Sequence, residues 1–417
     1  MSNKERASLA QYAGRRFVLS GTSVVKDQFP YCRPSEEWVS ATAGSRSTEV
    51  VSFAHYDYLG LAENPRVREA AKTAIDTMGP GAGASRLVGG ELRLHRTLEC
   101  EFARFLGVED ALALVSGYGA NVTLVSHLLT KGDIIFVDEA CHNSIMVGAE
   151  LSRADVLTFR HNDLDHLRDQ LARERSKYNR ALVIVEGLYS MDGDIPDLPL
   201  LIEICRRHQV WLMIDEAHSI GVLGSSGRGI TEHYGIDPSE IDLIIGTLSK
   251  AFVSCGGFIA GKRSVVEWLR YTLPGFVYSV GLSPSSAAAA LAALSIMQEE
   301  PARLVRLREN SEYFTAAARA AGLNMGNSLG IAVVPIFFDD VPTTMKVAGA
   351  ALDAGYYVSP IVQIAVPRDG PRLRFFITAK HEKDQLDGVL NAIKVFPSRG
   401  HQSTLQEGRK ANEPVAC

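Results

Sequence analysis

Trp211-Leu212-Met213-Ile214-Asp215-Glu216-Ala217-His218-Ser219 is the stretch on which the reading of this chain turns. An apolar run that stops on an aspartate reads as a short strand buried on both faces, with polar groups at its carboxyl end. Runs of the same kind flank it at Ala111–Val115, Asp133–Val137, Ala181–Val185 and Leu243–Ile245, each set off by a helix-length segment. In one such segment Leu198, Leu201, Ile202 and Cys205 recur at helical spacing, with Glu203, Arg206 and Arg207 between them. Strands and helices alternating in this way predict βαβ units, an α/β fold and a mainly parallel central sheet.

Further out the pattern changes. After Pro284 two long helical patterns follow, Pro284–Glu299 and Ala302–Ala321. Then come a strand (Ala332–Phe338), a helix (Thr343–Asp353), a strand (Leu373–Ile377) and a last helix (Glu382–Val395). The expected organisation is therefore a mixed N-terminal arm over 1–52, a large domain over 53–290 and a smaller C-terminal α+β domain over 291–398. Residues 399–417 form a polar tail expected to be disordered.

Of the 417 residues, 46% are hydrophobic and 22% charged, the balance of a globular chain able to bury a full core. The 43 Lys and Arg against 48 Asp and Glu leave a net charge of −5, which argues against a nucleic-acid-binding surface. The longest apolar segment, around Ala287–Met297, is Ala-rich and broken by Ser, too short for a transmembrane span. Met1-Ser2-Asn3-Lys4-Glu5-Arg6 lacks the apolar stretch of a secretory signal. The six cysteines contain no CxxC pair, so neither a metal site nor a disulfide framework is expected. The expected setting is cytoplasmic, with reduced thiols.

An ionised carboxylate at the end of a buried strand is costly unless a cation meets it. Asp215 is thus either a capping residue at a strand-to-helix turn or the counter-ion of a protonated heterocycle, with His218 facing the same ligand. Leu243-Ile244-Ile245-Gly246-Thr247-Leu248-Ser249-Lys250-Ala251 is another buried strand, ending in two hydroxyls and a lysine. Partial desolvation at such a place lowers a lysine's pKa and makes it nucleophilic towards a carbonyl. The plain alternative is a lysine reaching solvent, with Ser and Thr capping the next helix. Taken together, Asp215, His218, Thr247 and Lys250 describe pyridoxal 5′-phosphate (PLP), which needs a lysine at its aldehyde, an aspartate at its ring nitrogen and hydroxyls and amides at its phosphate.

Three further segments lie at predicted strand ends. Val115-Ser116-Gly117-Tyr118-Gly119-Ala120-Asn121 joins a strand to a helix, and its glycines let backbone N–H groups approach an anion; alone it is also an ordinary tight turn. Phe136-Val137-Asp138-Glu139-Ala140-Cys141-His142-Asn143-Ser144 puts on the same rim an imidazole able to stack on a cofactor ring, or simply a structural histidine. In Glu186-Gly187-Leu188-Tyr189-Ser190-Met191-Asp192-Gly193-Asp194, Ser190 is placed to reach the cofactor, whereas Asp192, Gly193 and Asp194 read as turn chemistry.

With these segments stand Tyr56-Asp57-Tyr58-Leu59-Gly60-Leu61, Gly81-Ala82-Gly83-Ala84-Ser85-Arg86-Leu87-Val88-Gly89-Gly90 with His95 and Leu98-Glu99, and Pro371-Arg372-Leu373-Arg374-Phe375. As an ordered set spanning about Phe53 to Val395, they resemble the α-oxoamine synthase family of fold-type I PLP enzymes. Cys255–Gly261 and Phe276–Gly281 are similar in character to the serine-palmitoyltransferase-like members tied to polyketide or capsular-polysaccharide pathways. The resemblance implies a fold-type I PLP-dependent transferase with Lys250 as the cofactor-attaching lysine, Asp215 as the ring-nitrogen partner and His218 at the cofactor's 3-hydroxyl. It further implies His142 stacking on the ring, and Gly117, Tyr118, Thr247 and Ser249 at the phosphate. Arg374 matches the arginine that grips the amino-acid carboxylate, while Arg372 is read as an edge-strand surface residue. Tyr58 and Ser85 are expected to face the substrate. Ser279, lent by a neighbouring subunit, implies a homodimer with shared active sites. Ser279-Val280-Gly281 departs from the usual Ser-Thr-Ser, and in Ile364-Ala365-Val366-Pro367 Ala365 replaces a substrate-contacting threonine. Both departures bear on specificity.

The activity implied is condensation of a small amino acid (serine, alanine or glycine) with an acyl thioester (acyl-CoA or acyl carrier protein), with loss of CO2, giving an α-amino ketone. In it Lys250 removes the α-proton and His142 stabilises the developing oxyanion or the substrate carboxylate. A PLP aminotransferase would share Lys250 and Asp215, but the Gly81–Gly90 motif with His95 resembles the acyltransferase branch. A catalytically silent partner subunit would be expected to lack the lysine.

Overall fold

A computed structural model describes residues 31–32, 37–39, 48–362 and 370–398. At its centre is a seven-stranded sheet, built in chain order from β1 (Asp110–Leu114), β2 (Ile134–Asp138), β3 (Asp155–Phe159), β4 (Ala181–Glu186), β5 (Trp211–Asp215), β6 (Leu243–Thr247) and β7 (Gly257–Gly261). Its spatial order is β1-β7-β6-β5-β4-β2-β3. The pairs β3–β2, β2–β4, β4–β5 and β5–β6 are parallel, and β7 runs antiparallel to both β6 and β1. The sequence predicts five of the seven. It misses edge strand β3, whose exposed Asp155 and Thr158 dilute the apolar run, and β7, whose glycine ends read as a loop motif.

Successive strand residues point to opposite faces, and both faces are covered. Ala181, Val183 and Val185 of β4 enter one apolar core, and Leu182 and Ile184 enter the other. Burial on both sides is what makes these strands continuously apolar rather than alternating.

A second sheet is formed by β8 (Val333–Phe337), β9 (Ser359–Ile361) and β10 (Arg372–Phe376) in the order β8-β10-β9, all antiparallel. Its core holds Phe314, Val334, Ile336, Phe375 and Leu386, and also Phe53, whose neighbours Val51–Ser52 pair in parallel with Tyr356–Tyr357. The expected domain border at 290 falls inside one uninterrupted helix, Pro284–Glu299. Ala287, Ala290, Ala293 and Leu294 of that helix belong to the core of the large unit, packed on the helices Pro65–Met78 and Arg93–Leu106. The core packed on the large sheet therefore continues past 290, and Phe53 packs in the core of the second sheet. The arm contributes a three-stranded antiparallel sheet of Tyr31–Cys32, Glu37–Val39 and Thr48–Glu49. The expected tail at 399–417 and the position of Ala365 lie outside the described residues. No helix among the described residues is long and apolar enough to cross a membrane.

Candidate active site

The carboxyl ends of parallel strands are where α/β sheets bind ligands. Here they open into a pocket of about 310 Å3 lined, among others, by Gly117, Tyr118, His142, Ser190, Asp215, His218, Thr247, Ser249, Lys250 and Arg374. Parallel register sets Asp215 of β5 beside Glu186 of β4 and Ile245 of β6.

Asp215 is buried, and both its oxygens are occupied. Oδ1 accepts the Ala217 N–H at 2.9 Å, and Oδ2 accepts Asn121 Nδ2 at 2.7 Å. Asn121 stands on the helix Gly117–Leu128 and also donates to Ser144 Oγ at 3.1 Å, while its own Oδ1 is buried without a protein partner. Lys250 follows β6 across the pocket, its Nζ 5.8 Å from the Tyr56 ring centroid. Burial brings its pKa down to about 8, against the pull of Asp215 and Glu186. Burial, with Asp215 next to it, pushes Glu186 up to about 8. Glu186 accepts the His142 N–H at 2.6 Å and the Ser190 N–H at 3.3 Å, so one carboxyl holds two turns of the rim.

His142 caps the helix Asn143–Leu151 and accepts the Ser144 N–H at its Nδ1 (3.3 Å). That bond places the ring proton on Nε2. Burial lowers its pKa and keeps the ring neutral. His218 Nδ1 meets the Tyr58 hydroxyl at 2.7 Å, and burial first, then Lys250 and Arg374, hold it well below the usual histidine range.

At the other end of the pocket, Ser116 caps the helix Gly117–Leu128, its Oγ accepting the Gly119 N–H at 3.1 Å. Thr247 Oγ1 and Ser249 Oγ lie 2.7 Å apart. Gly117 is required here because a Cβ on it would stand 2.7 Å from Thr247 Oγ1. The free N–H groups of that helix end and the two hydroxyls make a cradle for an anion.

From the second sheet, β10 delivers Arg374, which is buried. Its Nη1 donates to Ser190 O (3.1 Å) and meets Met191 Sδ (3.3 Å), while Nε has no partner. Burial lowers its pKa. Arg372, expected at a surface edge, is instead buried on the sheet's central strand, its Nη1 donating to Asp192 at 2.6 Å. Asp192 and Asp194, read as turn chemistry, both carry ionic contacts: Asp192 to Arg372, and Asp194 to His161 at 3.0 Å.

Three expected site residues lie elsewhere. Tyr58 is fully buried behind His218, and it is Tyr56 that lines the pocket, because the chain turns sharply between them, the Tyr58 N–H donating to Tyr56 O at 2.8 Å. Ser85 opens the turn Arg86–Gly90 and forms an isolated antiparallel bridge with Val280. Ser279, next to that bridge, is likewise not among the residues lining this chain's own pocket. The sequence reading passed over Tyr56, Asn121, Ser144, Glu186 and Met191, all at the pocket. Asn121 carried a signal, one helical turn after Gly117, and Glu186 another, as a carboxylate ending a buried strand.

This donor set fits PLP: a nucleophilic amine, a carboxylate fixed from both sides, a cradle for a dianion, and two buried polar atoms, Asn121 Oδ1 and Arg374 Nε, without protein partners. Fold and pocket together define a fold-type I PLP-dependent transferase. The family model described as aminotransferase class I and II matches residues 48–393. The 8-amino-7-oxononanoate synthase of Thermoanaerobacter pseudethanolicus is 36% identical over 357 residues, 86% of this chain and 89% of the relative. That of Methylococcus capsulatus is 38% identical over 343 residues, 82% of this chain and 88% of the relative. Among solved structures, a serine palmitoyltransferase from S. paucimobilis superposes with a TM-score of 0.86 at 28% identity, covering 94% of this chain and 98% of that one. The 8-amino-7-oxononanoate synthase of Francisella tularensis gives 0.73 at 26% identity, covering 83% and 97%. The chain belongs to the aminotransferase class I and II family and, within it, to the α-oxoamine synthases.

Proposed function

We propose that this protein joins a small amino acid (glycine, alanine or serine) to an acyl thioester, expelling the thiol and CO2, and releases an α-amino ketone. The observation that carries the reading is the meeting in one pocket of Lys250, Asp215 and an Arg374 with an unused buried donor.

PLP, when bound, supplies an aldehyde for a primary amine and an electron sink for a carbanion beside nitrogen. Asp215, fixed by Asn121 and the Ala217 N–H, holds the ring N–H and stabilises its positive charge. Gly117, Tyr118, Thr247 and Ser249 would receive the phosphate, and His142 would lie against the ring. His218, kept neutral and anchored by Tyr58, offers Nε2 to the 3-hydroxyl. Arg374 orients the amino-acid carboxylate through its planar fork. With a pKa near 8, Lys250 Nζ takes and returns the α-proton close to neutral pH. The Nε2–H of His142 is a donor for the oxygen on which charge develops as the thioester is attacked.

Ser279 is proposed to reach the phosphate of a second copy. In support, Ser279 and Ser85 share one rim, joined by the Ser85–Val280 bridge and flanked by Tyr278, which is 86% exposed. A cytoplasmic setting goes with this reading.

Each turnover should release one thiol and one CO2 per amino acid consumed, followed with a thiol reagent and a carboxyl-labelled amino acid. Arg374→Ala should keep cofactor affinity while amino-acid binding weakens by about 2–4 kcal/mol, the scale for losing one partner of a buried charged hydrogen bond. Conversion of the amino acid to a keto acid without thiol release would overturn the reading.

A further inference from the structure

Two turns shape the pocket's rim: that after β2 carries His142, and that after β4 carries Ser190 and Met191. Glu186 ties them together from inside. Their outer side is held by two residues with no role so far. We propose that His161 and Asn162, just beyond edge strand β3, form a positioning clamp that locks the His142 turn to the Ser190 turn and thereby fixes Arg374 over the pocket.

His161 bridges two carboxylates, Nδ1 to Asp138 Oδ1 at 2.9 Å and Nε2 to Asp194 Oδ2 at 3.0 Å. Asn162 grips the same pair, its N–H donating to Asp138 Oδ2 at 2.8 Å and its Nδ2 to Asp194 Oδ2 at 2.9 Å and Ile195 O at 3.2 Å. To do so Asn162 adopts a left-handed backbone, φ 53°, which asparagine tolerates better than most residues. The His161 ring packs edge-on against buried Tyr189, centroids 4.4 Å apart, and the backbone N–H of His161 donates to Glu139 Oε1 at 3.2 Å. Flanked by Asp138, Asp194 and Glu139, the imidazole stays protonated, its pKa raised to about 11 by the two bonded carboxylates against the cost of burial.

Both aspartates organise the turns, Asp138 through its carboxylate and Asp194 through its backbone carbonyl. Asp138 Oδ1 accepts the Ala140 N–H at 2.8 Å on the way to His142. Asp194 O accepts the Tyr189 N–H, and the Gly193 N–H returns to Tyr189 O, at 2.9 and 2.8 Å. That closed loop presents Ser190 O to Arg374 and Asp192 to Arg372. A direct chain of contacts thus leads from His161 to the arginine that meets the substrate. None of the clamp's own atoms lines the pocket, so His161 is a positioning residue. The inference rests on the reading of Arg374 as the carboxylate partner.

The test uses PLP-loaded protein and His161→Ala. Amide hydrogen exchange should quicken about tenfold in 139–145 and 187–194 and stay unchanged in β5 and β6. Titrated through the cofactor spectrum, the half-saturating concentration of glycine, alanine or serine should rise about tenfold or more, since small misplacements of positioning groups act on this scale. Cofactor affinity should stay within about threefold, and added imidazole should recover part of the amino-acid affinity. Unchanged exchange in the two turns, or parallel loss of cofactor and amino-acid affinity, would overturn the clamp. If His161→Ala does not fold, Asp194→Asn keeps the shape, removes one charge and should loosen 187–194 alone; no change there overturns the clamp as well. Exchange depends on no substrate. An unaltered protein blind to every amino acid therefore refutes the acyltransferase reading, while the exchange pattern still decides the clamp.

Discussion

Lys250 shows how burial turns an ordinary side chain into a reagent. A lysine in water titrates near 10.5, whereas here burial outweighs the pull of Asp215 and Glu186 and brings the value to about 8. The neutral amine is the nucleophile and base, and it predominates above the pKa. Capture of added PLP by the cofactor-free protein should therefore accelerate as pH rises and level off near 8, in stopped-flow absorbance. Acceleration continuing towards 10.5 would mean that the lysine is fully solvated. Lysine and aspartate were legible in the sequence because a charge directly after an apolar run must stand at the end of a buried strand. Tyr56 and Tyr58 were not: they are equally polar and two residues apart, and only the path of the chain decides which faces the pocket and which supports His218 from behind. Arg372, two residues before Arg374, escaped in the same way. Both point off one face of β10 and both are buried, but Asp192 satisfies the first and the protein leaves a donor of the second spare.

The element that positions the phosphate cradle is β7, the one strand of the large sheet that runs against its neighbours. Its first residue, Gly257, faces the start of the helix Gly117–Leu128, and a Cβ there would lie 2.6 Å from Gly117 Cα. Since the obstacle is backbone, Gly257→Ala must push the helix end away. The expected cost is about 1–3 kcal/mol of stability, as for other overpacked sites, read by chemical denaturation. Cofactor affinity should fall about tenfold, a loss of roughly 1.4 kcal/mol, while Asp215 and Lys250 keep their places. Intact cofactor affinity would separate β7 from the cradle. The parallel strands were legible because burial on both faces makes them continuously apolar. β7 was not, because the close approach that gives it its purpose demands glycine, the residue that in sequence signals a turn. Helix limits came through well where a cap defines them, as at Ser283 before Pro284–Glu299, whose Oγ accepts the Ser286 N–H.

At the scale of the molecule, Ser85 and Ser279 are substrate- and cofactor-facing by resemblance, yet the single chain brings neither to its own pocket. What it does is join them: the Ser85–Val280 bridge gathers both on one rim, beside Val88, Tyr278 and Val280, which are 83%, 86% and 53% exposed. Apolar side chains this open, gathered on one rim, fit the shared-site reading proposed above. A second copy seated there would cover them and place Ser279 at the neighbour's phosphate cradle. Sequence patterning cannot place such residues, since a strand-end rule sees one chain only. Mixed dimers decide the matter. Lys250→Ala homodimers should be inactive, and Ser279→Ala homodimers should need more PLP for half-maximal activity. In a mixed dimer with shared sites, one site combines the intact lysine of one subunit with the intact serine of the other, and the second site has neither. At limiting PLP, a re-equilibrated mixture should therefore exceed the average of its parents. If each subunit completes its site with its own Ser279, mixing yields no more than that average and the shared site is refuted. Tyr278→Glu, by putting a charge into the contact, should shift the protein towards monomer in sedimentation and loosen PLP together.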